Sequence, residues 1–450
     1  MKLSKITLAC LLATSGLSVS GAANAGETEG FEFHGYFRAG VLTSAEHDFK
    51  QSNFSGQKET LGRLGIEADN DVSVTLAKTW AFDDDKKIKI VVSASGTDSE
   101  NSLGTSADAT HMGIGQTYVE FEGVSPSGTF WGGTRDYGKA NYIFMTDFFY
   151  TDMSGTGIGV MDYQLGDTSL DFAYIASDRN DDVIDRWATD DSGNLANLNN
   201  LMHAFHLSAT FGAFELSALL KAMPDNWDED GTEYAETGFD LTAIYNLDSF
   251  FFMPGNGFSK IIAQGGVGLG SGNLLGGTIT EYNAFRPGSL TQGQHDDYAA
   301  WHPSGGEATR LLTYVGKDDV SARVLLWGGY FFDNGIKLFP SIQGQWNDHE
   351  QWVGNPGFTE YWLSAMVRPI FPVSNNFFVA TEFGAMYTNW NGASGNQAKA
   401  TIAPTWIIGT GAGPAPEIRL LASYVNNAWN VDDVDSKSDI IVGLQADMWW

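Results

Sequence analysis

Tyr36 and Arg38 sit two residues apart near the start of the chain, and Trp449 stands one residue from its end between Met448 and Trp450. On an extended backbone a spacing of two turns Tyr36 and Arg38 to the same side. A ring and a guanidinium so placed can stack on a flat apolar surface and donate several charge-assisted hydrogen bonds. That chemistry holds a ligand reversibly. Bond-breaking groups are poorly represented: the chain has no Gly-x-Ser-x-Gly elbow and no persuasive Ser/His/Asp placement, so an enzyme is not expected. His295, Asp296, Asp297 and His302 lie in a Gly-rich stretch and lack a metal-ligand spacing. Asn226 to Gly231 begins like a calcium loop but puts Thr237 where a bidentate glutamate is needed. No metal and no cofactor is expected, beyond divalent cations that could bridge Asp178, Asp181, Asp182 and Asp185 to other loops or to lipopolysaccharide phosphates.

The elements that carry these residues are strands. From Asp439 to Trp450 the residues Ile440, Val442, Leu444, Ala446, Met448 and Trp450 share one face, while Asp439, Gly443, Gln445, Asp447 and Trp449 share the other. The first face suits lipid and the second suits water, an arrangement that can live in a membrane only within a closed barrel. The same parity puts Tyr36, Arg38 and Trp449 on the water side, and Trp450 in the interfacial belt. At the other end, Lys2 and Lys5 precede an apolar run from Ile6 to Leu17, and Ala23-Asn24-Ala25 supplies small residues for cleavage before Gly26. Residues 1–25 are therefore expected to be a signal peptide and residues 26–450 a single barrel domain in the bacterial outer membrane. The lone Cys10 leaves with the signal, so the exported chain forms no disulfide. That segment carries two lysines and no acidic residue, so its removal takes the formal charge from -30 to -32, which argues against nucleic acid as a partner.

No later run of about 18 apolar residues offers a transmembrane helix. Alternation recurs instead in Phe31, Phe33 and Phe37, in Phe205, Leu207 and Ala209, in Phe239, Leu241 and Ala243, and in Tyr361, Leu363 and Ala365. Phe211-Gly212-Ala213-Phe214 reads as a short periplasmic turn, and Ser177 to Asn200, Asp225 to Gly238, Gly265 to Gly306 and Asn389 to Gln397 read as outer loops. With roughly 10 residues per strand, about 16 to 18 antiparallel strands fit.

Seven patterns then resemble the maltoporin family: Phe33-His34-Gly35-Tyr36-Phe37-Arg38-Ala39-Gly40, Arg63-Leu64-Gly65, Trp131-Gly132-Gly133-Thr134-Arg135, Asp147-Phe148-Phe149-Tyr150, Asp152-Met153-Ser154-Gly155, Gly257-Phe258-Ser259-Lys260 and Met448-Trp449-Trp450. Each is weak alone, but they run in the family's order along the whole mature chain. The resemblance implies an all-β transmembrane barrel of 18 strands, assembled as a homotrimer, with an inward-folded constriction loop and a sugar path through the outer membrane. Along such a path rings stack on glycan C–H faces while charged groups exchange hydrogen bonds with hydroxyls, and many similar sites in a row let a chain slide.

The resemblance carries stacking roles onto Tyr36, Phe258 and Trp449, and it puts Phe149 where the family usually has a pore-narrowing tyrosine. Arg38, Arg63 and Lys139 match or approach arginines of the pore, and Asp147 matches a constriction carboxylate. Glu67 or Asp69 beside Arg63 offers a structural ion pair as the alternative. Departures bear on the substrate. Asp71 stands where a second tyrosine is expected, Ser99 to Thr110 lacks the tryptophan of the pore mouth, Met112 stands near an expected arginine, and the cysteines of the first loop are missing. The exit-side tryptophan aligns with Val373, leaving Phe371 or Phe377 as replacements. Maltose and maltodextrins lead as substrates. Sucrose, β-glucosides, other oligosaccharides and a non-specific general porin are the alternatives.

Overall fold

Backbone groups facing hydrocarbon must find partners within the protein, and a sheet closed on itself meets that need with no edge left over. The computed structural model describes residues 30–52, 57–67, 70–82, 85–98, 113–178, 201–224, 234–278, 315–352, 355–408, 416–428 and 437–450. Its chain order begins with β1 (Phe31–Ser44), the single turn α1 (Lys58–Leu61), β2 (Asn70–Ala81), β3 (Lys87–Asp98), β4 (Gly113–Glu122) and β5 (Thr129–Arg135). A small separate ribbon follows, β6 (Tyr142–Ile143) with β7 (Phe148–Phe149). Next come β8 (Gly155–Leu165), β9 (Thr168–Asp178), β10 (Leu201–Phe211), β11 (Phe214–Ala222), β12 (Thr237–Leu247) and β13 (Asn256–Gly268). The remainder is β14 (Val320–Phe331), β15 (Lys337–Trp352), β16 (Asn355–Ser374), β17 (Phe377–Trp390), β18 (Ala393–Ile407), β19 (Glu417–Ala428) and β20 (Lys437–Trp449). Apart from the ribbon, these make one 18-stranded antiparallel sheet. Because β1 pairs with both β2 and β20, the sheet closes into a barrel.

Alternation sorts the side chains as lipid and water require. On β10 Phe205 and Leu207 are exposed outward while Met202, Ala204, His206 and Ser208 are buried inside, and on β12 Phe239 and Leu241 face out while Asp240 and Thr242 face in. Phe211 pairs with Phe214 across Gly212-Ala213, a short turn at the end of the barrel where β1 begins and β20 ends, as short periplasmic turns do. Asn389 to Gln397 is not a long outer loop. Trp390 pairs with Ala393 across Asn391 (φ 47°) and Gly392 (φ 85°), the two left-handed positions that an Asn-Gly hairpin turn supplies cheaply. Gly265 to Gly268 likewise belongs to β13.

The barrel is not hollow. Residues 57–67, 136–154 and 269–278 fold inward, and Leu61, Ile66, Ile143, Phe144, Met145, Phe148 and Tyr150 are almost wholly buried against wall residues such as Ile244, Leu325, Phe339 and Trp362. These segments bring their own backbone polar groups into the barrel. The inward wall side chains satisfy them. Glu382 accepts from the Leu64 amide at 3.0 Å, Lys399 donates to the Leu64 carbonyl at 2.8 Å, and Ser423 donates to the Gly65 carbonyl at 2.9 Å. Gln264 holds the Tyr150 carbonyl at 2.7 Å, and Arg323 the Leu275 carbonyl at 3.1 Å. Gly65 is needed for this approach: its φ is 74°, and a Cβ there would stand 2.1 Å from the Ser423 hydroxyl.

Leu363 lies near the middle of β16, 57% exposed on the outer face. Leu363→Arg is expected to cost ~2–4 kcal/mol in reversible folding into lipid vesicles, read from the denaturant midpoint. A midpoint equal to that of the unaltered protein would contradict its contact with lipid.

Candidate functional site

The register between β1 and β20 sets the first part of the site. Tyr36 lies directly opposite Trp449, and Arg38 opposite Asp447, so all four share the inward face. Toward β2, Tyr36 faces Ser73 and Arg38 faces Asp71. Arg38 Nη1 donates to the Tyr36 hydroxyl at 2.9 Å, which fixes both side chains in the wall. Trp450 turns the other way and packs at 5.7 Å against Phe33 on the outer face.

A charged knot joins this wall to two of the inward segments. Glu67 is its centre, 2.7 Å from Arg63 Nε, 2.9 Å from Lys58 Nζ and 3.2 Å from Arg38 Nη2. Asp147 completes it, 2.8 Å from Lys58 and 3.7 Å from Arg63, with a left-handed backbone (φ 56°) that aspartate tolerates better than most residues. Burial works against the charged form of Glu67, but Arg63 and then Lys58 outweigh it and hold the carboxyl below its ordinary 4.5. Arg38, Arg63 and Asp147 therefore meet in one network, with Lys58 and Glu67 between them.

Lys139 and Phe149 form a neighbouring unit on the 136–154 segment. Phe149 is half-buried and stacks on Tyr142 at 5.2 Å with 17° between the rings, while Lys139 Nζ stands 5.7 Å from the Phe149 ring centre. Lys139 is also held by Asp152 at 3.4 Å and Asp136 at 3.5 Å. Phe258 is inward on β13 near the periplasmic end. Its ring meets the edge of Trp327 at 5.3 Å and lies 6.4 Å from Phe331.

Phe371 and Phe377 do not replace a lumenal tryptophan. Phe371 is 40% exposed on the outward parity of β16, and Phe377 packs outside against Trp406 at 4.9 Å. Phe378, one residue further on, is the inward ring, packed beside Ile370 and Ala380. Val373 is also outward.

Sequence reasoning did not single out several inner-wall charges. Arg368 and Lys399 hold Glu382 at 2.6 and 2.7 Å, and Arg419 bridges Glu417 and Asp447. Glu417-Ile418-Arg419 does carry the alternating signal that could have found two of them. On β4 and β5 the Arg135 guanidinium lies 4.3 Å from the Tyr118 ring centre and 5.0 Å from that of Trp131, and it pairs with Glu120 at 3.3 Å. Among the described residues no group of three or more His, Cys, Asp or Glu side chains is placed to hold a metal ion. The His295, Asp296, Asp297 and His302 group, Asn226 to Gly231, the acidic cluster beyond Asp178, Asp69, Met112 and Ser99 to Thr110 lie outside the described residues.

Together these groups give the barrel interior rings, paired cations and paired carboxylates. A family model described as LamB porin matches residues 31–450. The chain is 25% identical over 488 residues to Maltoporin 2 of Yersinia pestis (strain Pestoides F), covering all of both chains. It is 26% identical to Maltoporin 1 of Klebsiella pneumoniae subsp. pneumoniae over 93% of each. Among solved structures, Acinetobacter baumannii OccAB2 superposes with a TM-score of 0.49 at 9% identity, covering 93% of this chain and 98% of that one.

Because the carboxyl of Glu67 is lowered, its share of the knot's stability is fully present above 4.5 and is lost as pH falls below that value toward the folded-state pKa. Open-channel current noise is expected to stay constant from pH 7 to about 5 and to rise only in more acidic buffer. A rise already complete at pH 6 would contradict this.

Proposed function

As the chain belongs to the LamB porin family, it is an outer-membrane porin and not an enzyme, and we propose that it passes oligosaccharides selectively, with maltose and maltodextrins as the leading substrates. The observation that carries this reading is the pairing of lumenal rings with neutralised charge. Tyr36, Phe149, Phe258 and Trp449 offer surfaces for the C–H faces of sugar rings, and Arg38, Arg63, Lys139 and Asp147 offer donors and acceptors to the hydroxyls. Each of those charges has an opposite partner within 4 Å, apart from any further contact it makes. A neutral, hydroxyl-rich ligand matches such a surface better than an ion does. The missing hydroxyl at Phe149 keeps a stacking face at the constriction and relaxes the reading of glycan polarity.

Assembly as a homotrimer, embedding among outer-membrane lipid and lipopolysaccharide, and removal of residues 1–25 as a signal belong to the same proposal. The outward band that includes Leu207, Leu241, Leu363 and Leu420 supports the lipid contact.

The experiment is ion current through the purified porin in a planar bilayer while maltohexaose, sucrose, a β-glucan oligomer and a chitin oligomer are added separately. Saturable block by at least one sugar is expected, with maltohexaose strongest. Ohmic current unblocked by all four would make the protein a general diffusion porin. Trp449→Ala should weaken the block by ~0.5–1.5 kcal/mol, and an unchanged blocking constant would remove Trp449 from the path.

A further inference from the structure

The connection from β12 to β13, at the periplasmic end, folds back over the outside of the barrel. Gly257 and Ser259 lie on the outward parity of β13, opposite to that of Gln264, whose side chain reaches inward to Tyr150. Ser259 is nevertheless only 1% exposed, because the turn covers it. Its hydroxyl donates to the Ser249 carbonyl at 2.9 Å and accepts from the Phe251 amide at 3.0 Å, so a polar group on the outer face is satisfied within the protein. Gly257 leaves room for this approach: a Cβ there would stand 2.9 Å from that of Phe250. Phe251 and Phe252 both take left-handed backbone, φ 46° and 66°, which bulky residues hold only where their surroundings fix it.

This path sets the turn against outward aromatics of the wall. Phe250 meets Tyr330 edge-on at 5.5 Å, and Phe252 lies 6.5 Å from Tyr245, which stacks on Phe214 at 4.6 Å. Tyr245 shares the outward parity of Leu241 on β12, and Tyr330 that of Val324 on β14. The turn therefore broadens the aromatic girdle that a transmembrane barrel carries at the lipid–water boundary. Phe252 and Met253 remain 69% and 53% exposed, and no charged residue occurs from Ser249 to Ser259. Other turns at the same end are built for water: Gly166-Asp167 joins β8 to β9, Asp333-Asn334-Gly335 lies between β14 and β15, and Asn375-Asn376 joins β16 to β17. Exposed phenylalanine and methionine lose free energy in water and recover it only where apolar atoms cover them.

We propose that residues 250–253 form a lipid-binding wedge, in which Phe252 and Met253 insert between phospholipids of the inner leaflet of the outer membrane. The occupant is phospholipid because the patch is uncharged and continuous with the outward faces of β12 and β14, which already meet the membrane, and because the turn lies along that face instead of standing clear of the rim. Ser259 and Gly257 hold the wedge in place. The inference goes beyond the sugar reading and does not depend on it, since the turn is outside the barrel.

The chain has one cysteine, so in a Cys10→Ser background a cysteine introduced at position 252 is the sole thiol. Phe252→Cys, labelled with an environment-sensitive fluorophore, is placed in phosphatidylethanolamine/phosphatidylglycerol vesicles beside an Asn375→Cys control on a polar turn of the same end. Iodide in the water and spin-labelled lipid in the bilayer serve as quenchers. The label at 252 should emit at shorter wavelength than the control, resist iodide, and be quenched by spin-labelled lipid at a depth of about 5–10 Å within the headgroup and acyl boundary. Met253→Cys should give the same pattern if Phe252→Cys fails to fold. Phe252→Ser/Met253→Ser should keep the conductance of the unaltered channel. Iodide quenching equal to that of the control would leave the turn in water and overturn the wedge. Shielding from both quenchers would assign it to a contact between subunits, and an altered conductance in the double variant would place it at the pore; either result also overturns the proposal.

Discussion

A chain segment folded into a barrel must find partners for its buried amides and carbonyls, and here the inner wall provides them. Glu382 and Lys399 hold residues 62–64, Ser423 holds Gly65, Gln264 holds Tyr150, and Arg323 holds Leu275. The requirement that closes the sheet on the lipid side therefore also organises its interior. Without those side chains the inward segments would carry unpaired backbone into a low-dielectric space, at about 1–3 kcal/mol for each group left unmade. With them, the segments narrow the channel while their apolar residues pack as an ordinary core.

The second consequence is electrostatic. Bringing Lys58, Arg63 and Arg38 together inside a barrel is tolerable only because Glu67 and Asp147 stand among them. The knot thus joins α1, the constriction segment and β1 through a few contacts, and it leaves the pore wall studded with donors and acceptors of little net charge. The strongly acidic balance of the whole chain, -30, is not the balance of this wall. On the proposed reading, a passage with this surface suits a hydrated neutral solute, and the rings of Phe149, Phe258 and Trp449 would give such a solute apolar places to rest.

Much of this was legible in the sequence because strand parity is a local signal. The faces of Tyr36, Arg38, Trp449 and Trp450 follow from alternation, and the length of the chain bounded the number of strands. The inward segments were harder. Leu61, Leu64 and Ile66 carry no strand period, and their partners lie far along the chain, as with the Ser364 hydroxyl on the Thr60 carbonyl, 304 residues away. Asn391-Gly392 was hidden within a polar stretch that resembled a loop, although its dipeptide is a strong hairpin signal. Phe371 and Phe377 were misjudged because matching a position does not match a face. The strand pairing is irregular between Pro372 and Ser374, and Phe378 is the ring that points inward.

The central claim is that the wall-held segments leave a path on which a neutral glycan binds. Electron cryomicroscopy of the purified porin with saturating maltohexaose tests it most directly. The account predicts glycan density inside the barrel, beside Phe149 and continuing to Tyr36 and Trp449, with residues 57–67 and 136–154 still folded against the wall. A lumen free of glycan density, or inward segments withdrawn from the wall, would contradict it.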